Sequence, residues 1–147
     1  MKTTLTIFLM FLVTMLYAQK QEEASIKNVL TAETTAYMNR DYDAWAAQWD
    51  SKNEVSFLVT NAGFRSDNWE EISKSMKEDM ENNSNPIKAT LETSDFDFSV
   101  NGNQAFVIYV QNMKLDGQDY KSYEVRNLHK VKGKWKLAAM VSSKIEE

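Results

Sequence analysis

The stretch RDYDAWAAQWD, residues 40–50, brings aromatic and acidic side chains close together. Tyr42, Trp45 and Trp49 recur at i, i+3 and i+7, so a helix would place them on one face. Carboxylates beside aromatic rings fit either an active site or a helix that Asp41 caps and whose aromatic face packs in the core. We favour the capped helix, with the aromatic face also lining a pocket wall, and keep Tyr42 as a candidate general base.

A second group of candidate residues lies in QDYKSYEVRNLHKV, residues 118–131, which alternates like a β-strand. One face carries Tyr123 and His129, and the other carries Glu124 and Arg126. His129 is either a pocket base or a packed strand histidine, and we favour packing because acid–base work needs an orienting partner. Arg126 either grips an anionic ligand with its planar guanidinium or pairs with Glu124 on the outer sheet surface, and one sequence leaves both open.

Composition argues against several classes of chemistry. The chain has no cysteine, which excludes thiolate metal ligands, cysteine nucleophiles and disulfides. It has one histidine, so a paired-histidine metal motif is impossible, and we expect neither a metal nor another cofactor. The net charge of −4 without a basic stripe argues against a nucleic-acid partner.

The N-terminus has the pattern of a secretory signal peptide. Lys2 precedes the apolar run Leu5–Tyr17, and Ala18 supplies a small-residue cleavage site. Because the run is shorter than the roughly 20 residues that span a bilayer, we favour cleavage over an uncleaved anchor. We therefore predict a signal peptide at residues 1–18 and one domain at residues 19–147, exported to the periplasm or secreted and not held in the membrane.

The remaining chain predicts an α+β domain. A helical period covers residues 22–39, with Ile26 and Leu30 on the apolar face and Glu33 off it. The other predicted elements are a short helix at 42–48, a strand at 54–60, a helix from Asn68 that Asp67 caps, and four strands after Pro86 joined by turns at NGN, DG and KGK.

Four stretches resemble the nuclear-transport-factor-2-like (NTF2-like) superfamily, in its SnoaL-like and ketosteroid-isomerase-like branch. They are the first helix running into RDYDAWAAQW, the strand EVSFLV, the helix NWEEISKSM, and NGNQAFVIYV leading to GKWKLAAMVSS. The resemblance implies a cone, in which three helices of the N-terminal half pack on a strongly curved antiparallel sheet around a pocket. It also implies a homodimer through the outer face of the sheet, and Trp135 packed under the first helix.

The catalytic patterns that the resemblance implies are incomplete in this chain. Dehydratases of the superfamily use two histidines, which one histidine cannot supply. Epoxide hydrolases use an Arg-x-Asp step, and the residue two positions after Arg126 is leucine. Isomerases use a strand aspartate, but Asp95 and Asp97 alternate with phenylalanines that favour the inner face, which turns the aspartates toward solvent.

We therefore predict an exported protein that binds a small hydrophobic or anionic molecule in an apolar, aromatic-lined pocket and has no complete catalytic set. One alternative is an isomerase-, dehydratase- or cyclase-like enzyme acting on a small hydrophobic substrate, and the other is a pocketless dimeric interaction module. The predicted ligand-binding residues are Tyr42, Trp45, Trp49, Phe57, Trp69, Tyr109, Tyr123, Arg126 and His129, with Tyr42 and His129 as the catalytic candidates.

Overall fold

The computed structural model describes the backbone of residues 2–146 and the side chains of residues 17–146. Within that range the chain forms three α-helices and six β-strands. The helices are α1 (Lys2–Met38), α2 (Tyr42–Ala46) and α3 (Trp69–Asn82). The strands are β1 (Ser56–Val59), β2 (Phe64–Ser66), β3 (Ala89–Asn101), β4 (Gln104–Leu115), β5 (Gln118–Val131) and β6 (Lys134–Lys144).

The strands form one curved, unclosed sheet in the order β2-β1-β6-β5-β4-β3. All neighbouring pairs are antiparallel except β1 and β6, which run parallel. Two register shifts interrupt the long strands, one between Ser94 and Asp97 of β3 and one where β6 accommodates Ala138 as an extra residue. Such bulges bend a strand and increase its twist, which accounts for the curvature of the sheet.

The core lies on the concave side of the sheet, under the helices. Its fully buried members come from every layer, because each helix turns an apolar stripe toward alternate residues of the strands. They include Ile26 of α1, Trp45 of α2, Ile72 of α3, Val107 of β4, Leu128 of β5 and Leu137 of β6. The predicted α+β architecture with helices packed on a curved sheet is therefore confirmed.

The end of α1 sets the direction of the chain into α2. Arg40 has φ 60°, the left-handed conformation common just past a helix C-terminus. Its N–H donates to the carbonyl of Tyr37 at 3.0 Å, and the N–H of Asp41 donates to the carbonyl of Ala36 at 2.9 Å, a Schellman motif. Asp41 then caps α2 by accepting from the N–H of Ala44 at 3.0 Å, as predicted.

Several predicted boundaries were wrong. α1 extends from Lys2 because no proline or glycine interrupts residues 2–38. Residues 64–66, for which no strand was predicted, form β2, which pairs with β1 after Gly63 closes a 3₁₀ turn with φ 64°. The N-cap of α3 is Asn68 and not Asp67, since the Asn68 side chain accepts from the N–H groups of Glu70 and Glu71.

Most of the predicted signal peptide, residues 1–18, lies outside the residues whose side chains the structure describes. The backbone from residue 2 onward belongs to α1. Within the described part of the chain, no helix combines the length and the hydropathy needed to cross a membrane.

Candidate functional site

Four polar side chains lie buried on the concave side of the sheet, and we call them the interior cluster: Glu33, Tyr109, Glu124 and Arg126. None is more than 5% exposed. Glu124 and Arg126 share a face of β5 because residues two apart in a strand point the same way. Tyr109 of β4 is the cross-strand partner of Glu124, and Glu33 of α1 comes from the helix above.

Glu124 and Arg126 form a buried ion pair. Nη1 of Arg126 donates to Oε2 of Glu124 at 2.7 Å, and also to the backbone carbonyls of Val125 and Val141. The other carboxylate oxygen, Oε1, accepts from the hydroxyl groups of Ser122 at 2.6 Å and Ser142 at 2.8 Å. The carboxylate is thus fully hydrogen-bonded, whereas Nε of Arg126 has no partner among the described residues.

Glu33 is held by neutral donors instead of a cation. Nε1 of Trp45 donates to its Oε1 at 2.7 Å, and Oγ1 of Thr34 donates to its Oε2 at 3.3 Å. Burial raises the pKa of Glu33, although the nearby charge of Arg126 and the Trp45 hydrogen bond oppose the shift. A carboxyl group in such surroundings holds its proton to higher pH than an exposed one and can donate a hydrogen bond or a proton.

The interior cluster combines two carboxyl groups with one guanidinium. Burial raises the pKa of Tyr109, so its phenol stays neutral. The one cation, Arg126, pairs with Glu124, so Glu33 is the carboxyl group of the cluster without a cationic partner in contact. A buried ion pair is a poor source of stability, since apolar residues of similar volume often stabilise as well or better. Functional sites, by contrast, regularly contain buried titratable groups with shifted pKa values.

An aromatic wall, formed by Tyr42, Trp45, Trp49, Phe57 and Trp69, borders the interior cluster. Trp45 stacks on Trp69 with ring centroids 5.9 Å apart and planes 10° apart, and Trp49 lies 5.6 Å from both Trp45 and Phe57. Trp45, Trp49 and Phe57 are buried, whereas Tyr42 and Trp69 are partly exposed. The hydroxyl of Tyr42 hydrogen-bonds that of Ser73 on α3.

The structure brings seven of the nine predicted ligand-binding residues to the concave side: Tyr42, Trp45, Trp49, Phe57, Trp69, Tyr109 and Arg126. It does not bring Tyr123 and His129 there. Both lie on the outer face of β5, where Tyr123 is 54% exposed and Nδ1 of His129 lies 3.7 Å from Oδ2 of Asp50. Arg126 takes a position between the two sequence-based alternatives, because it pairs with Glu124 inside the protein and not on the surface.

Sequence reasoning missed Glu33, and its placement off the buried face of α1 was wrong. Glu33 follows Ile26 by seven residues and Leu30 by three, a spacing that puts all three on one helical face. The sequence did indicate that Glu124 and Arg126 share a strand face and could pair, but it left open whether that face is the concave or the outer one. Helical spacing was therefore the signal that could have identified Glu33.

The cavities lie away from the interior cluster. A groove of about 770 Å³ lies on the outer face of the sheet, and three smaller cavities of about 400 to 580 Å³ lie along α1, α2 and the strand ends. Glu33, Glu124 and Arg126 line none of the four. Among the described residues, no group of three or more His, Asp or Glu side chains is arranged to hold a metal ion.

Solved structures with the same fold are numerous. The chain is similar to a putative dehydratase of the NTF2-like family from Streptomyces avermitilis, with a TM-score of 0.73 at 16% identity over 88% of this chain and 99% of that one. It is similar to an NTF2-like protein of unknown function from Shewanella oneidensis MR-1, with a TM-score of 0.67 at 14% identity over 83% and 98%. It is also similar to the CaMKII hub of S. rosetta, with a TM-score of 0.66 at 19% identity over 83% and 95%.

At these identities the similarity establishes the fold alone. No curated protein matches the sequence. The model of the SnoaL-like domain matches residues 26–146, which is most of the chain. The chain therefore belongs to the SnoaL-like family, and it shares its fold with the NTF2-like structures.

Proposed function

We propose that the protein binds a small molecule on the concave side of the sheet, in a space that opens where the aromatic wall borders the interior cluster, because none of the four cavities lies there. The observation that carries the proposal is that two of the three buried N–H donors without a hydrogen-bond partner among the described residues, Nε of Arg126 and Nε1 of Trp49, belong to the interior cluster and the aromatic wall, the third being Nε of Arg40. Buried donors without partners are rare in native proteins, so each calls for an acceptor that the chain itself does not supply.

The ligand class follows from these donors and their surroundings. Two unpaired N–H groups call for a carbonyl or carboxylate oxygen, and the aromatic wall calls for an apolar ring. A small aromatic or alicyclic ketone or carboxylic acid meets both requirements. Tyr42 and Trp69 are the partly exposed members of the wall, and the hydrogen bond between Tyr42 and Ser73 joins α2 to α3 beside them.

The test uses the indole N–H signals of the tryptophans in a ¹⁵N-labelled protein. We expect at least one compound from a panel of small aromatic ketones and carboxylic acids to shift the Trp49 signal. Trp49→Phe should then weaken binding by roughly 2- to 12-fold, which corresponds to one hydrogen bond. Trp135→Phe is the matched control, because the Trp135 indole donates to Glu22 and lies away from the cluster. A panel that leaves the Trp49 signal unmoved, or equal losses in the two variants, would contradict the proposal.

A second candidate function is acid–base catalysis on the bound carbonyl compound. Glu33 favours it, because this buried carboxyl group is held only by the neutral donors Trp45 and Thr34 and has a raised pKa, so it can polarise a carbonyl oxygen while a base of the solvent removes the α-hydrogen. The assay is exchange of α-hydrogens of the same ketones for deuterium in D₂O, followed by NMR. Exchange above the buffer rate that Glu33→Gln abolishes supports this candidate, and equal exchange in the two proteins rejects it.

We also propose a homodimer through the apolar half of the outer sheet face. Ile108, Val110, Tyr123, Val125 and Val141 lie there in paired register on β4, β5 and β6. Exposed apolar patches of this kind mark protein interfaces. Light scattering should give twice the protomer mass for the wild type and the protomer mass for Tyr123→Glu. A monomeric wild type at micromolar concentration would count against the dimer.

Export is the remaining part of the proposal. Residues 1–18 have the sequence pattern of a secretory signal, and the chain after them needs no disulfide. Mass spectrometry of the protein recovered outside the cytoplasm should give a chain that begins at Gln19. Recovery of the full-length chain in the membrane fraction would support an uncleaved anchor instead.

A further inference from the structure

The outer face of the sheet is divided into an apolar half and a polar half. The apolar half carries the proposed dimer surface. The polar half forms the groove of about 770 Å³, which we call the outer groove. Cross-strand pairing aligns its central row across five strands in the order Ser99, Phe106, Asn127, Ala139 and Ser56. At about 4.8 Å between strands, this row is about 19 Å long.

A bulge and small side chains give the outer groove its depth. β6 holds Ala138 as an extra residue opposite the step from Asn127 to Leu128, and a bulge of this kind bends the strand. Ala139 and Ser56 provide a low floor beside it, and Phe106 rises from β4 with 40% of its surface exposed. The result is an elongated depression with one aromatic side chain in its wall.

The polar groups of the outer groove are free to bind. No hydrogen bond within the described part of the chain occupies the side chains of Ser99, Asn101, Gln104 or Asn127. Each amide offers both donors and an acceptor. His129 borders the same groove, next to Gln104 in the register of β4 and β5. The three amides and the hydroxyl of Ser99 thus give the groove a dense set of neutral hydrogen-bonding groups.

The charges of the outer groove disfavour anions. Glu54 and Asp67 lie at its β1 end, and hydrogen bonds from Ser56 and Arg65 lower the pKa of Asp67 and keep its carboxylate ionised. A nucleic acid or another polyanion would meet this negative charge. An extended peptide is also a poor fit, because peptides add to a free sheet edge, whereas this groove runs across strands whose backbone groups are already paired.

We propose that the outer groove binds an uncharged carbohydrate chain. Sugar hydroxyl groups both donate and accept, which matches the amides of Asn101, Gln104 and Asn127. The apolar face of a sugar ring packs on an exposed aromatic ring, which Phe106 supplies. The length of the central row fits several sugar units and exceeds what a single monosaccharide would use. This site is separate from the interior cluster and does not depend on it.

The experiment is isothermal titration of the full chain with cello-, malto-, xylo- and chito-oligosaccharides. We expect at least one series to bind, with affinity that rises with chain length. Phe106→Ala should weaken binding by about tenfold or more, and Asn127→Ala by roughly 2- to 12-fold. Tyr120→Ala is the matched control, since Tyr120 is 42% exposed but lies on the opposite face of β5. Urea unfolding checks that each variant retains the fold.

Three results would overturn the proposal. The first is no binding by any of the four oligosaccharide series. The second is a loss of affinity in Tyr120→Ala equal to that in Phe106→Ala. The third is binding by the monomeric Tyr123→Glu variant alone, which would place a second copy of the chain in the groove. Loss of the interior site in Trp49→Phe leaves oligosaccharide binding unchanged, so failures of the two proposals are distinguishable.

Discussion

Replacing Arg126 with methionine removes the only cation that contacts Glu124 among the described residues. The side chains of both residues are at most 3% exposed, so water cannot take the place of the guanidinium. Breaking a buried ion pair by removing one partner costs about 3–5 kcal/mol, because the remaining charge stays buried. The hydroxyl groups of Ser122 and Ser142 still hold the carboxylate, so we expect a value near the lower end, about 3 kcal/mol.

The double variant Glu124→Leu/Arg126→Met separates the cost of an unpaired charge from the contribution of the pair. Removing both charges leaves no uncompensated ion, and replacement of a buried pair by apolar residues is often neutral or stabilising. We therefore expect the double variant to be more stable than Arg126→Met alone. The exposed pair Arg65–Asp67 is the matched control, and Arg65→Met should change the free energy of unfolding by less than about 1 kcal/mol.

Urea unfolding of the four proteins at neutral pH measures these differences, with an unchanged slope of free energy against urea as evidence that two-state unfolding is retained. A single domain has a total stability of about 5–15 kcal/mol, so a loss of 3 kcal/mol is easily resolved. If Arg126→Met costs less than about 1 kcal/mol, the pair is not isolated from water, and the reasoning is refuted. The same holds if the double variant is less stable than the single one.

Further predictions concern the carboxyl group, the caps and the first helix. Because burial raises the pKa of Glu33, the wild type should lose stability as pH rises above about 4.3, and Glu33→Gln should not. A difference in the free energy of unfolding between the two proteins that stays constant from about pH 4 to 8 would contradict this prediction. Asn68→Ala should lower the free energy of unfolding in urea by about 1 kcal/mol, and Asp67→Ala should lower it less. A larger loss for Asp67→Ala would indicate that Asp67 is the cap after all. Trp135→Phe should cost about 1 kcal/mol through the lost hydrogen bond to Glu22, which unchanged thermal and urea unfolding would disprove.

Local signals predicted much of the fold. The first N–H groups of a helix have no partner within the helix, and an aspartate just before it can accept from one of them. Asp41 accepts from the N–H of Ala44 and caps α2 as predicted. The spacing of Tyr42, Trp45 and Trp49 predicted one buried aromatic face. Trp45 in α2 and Trp49 just after it are both buried. Trp135 is buried and hydrogen-bonded to α1 through Glu22, as the resemblance implied. These features depend on residues a few positions apart or on a strong apolar pattern.

Other features depend on partners that are distant in sequence. Strand alternation separated Glu124 and Arg126 from Tyr123 and His129, but which face is concave is decided by the helices that pack on it. By residue type, Asp67 is as good an N-cap as Asn68. In the folded chain, however, its carboxylate accepts hydrogen bonds from Ser56 and Arg65. Glu33 is a charged residue on an apolar stripe, and only the folded chain supplies the Trp45 donor that makes its burial tolerable.

Native mass spectrometry of the wild type and its variants, after incubation with the panel of aromatic ketones and carboxylic acids, tests the interior ligand site most directly. The proposal predicts one bound molecule per protomer in the wild type and in Phe106→Ala, and a reduced fraction of that adduct in Trp49→Phe and Arg126→Met. A wild type that retains no compound would contradict it. So would an adduct that survives in Trp49→Phe and disappears in Phe106→Ala, because it would place the ligand on the outer face of the sheet.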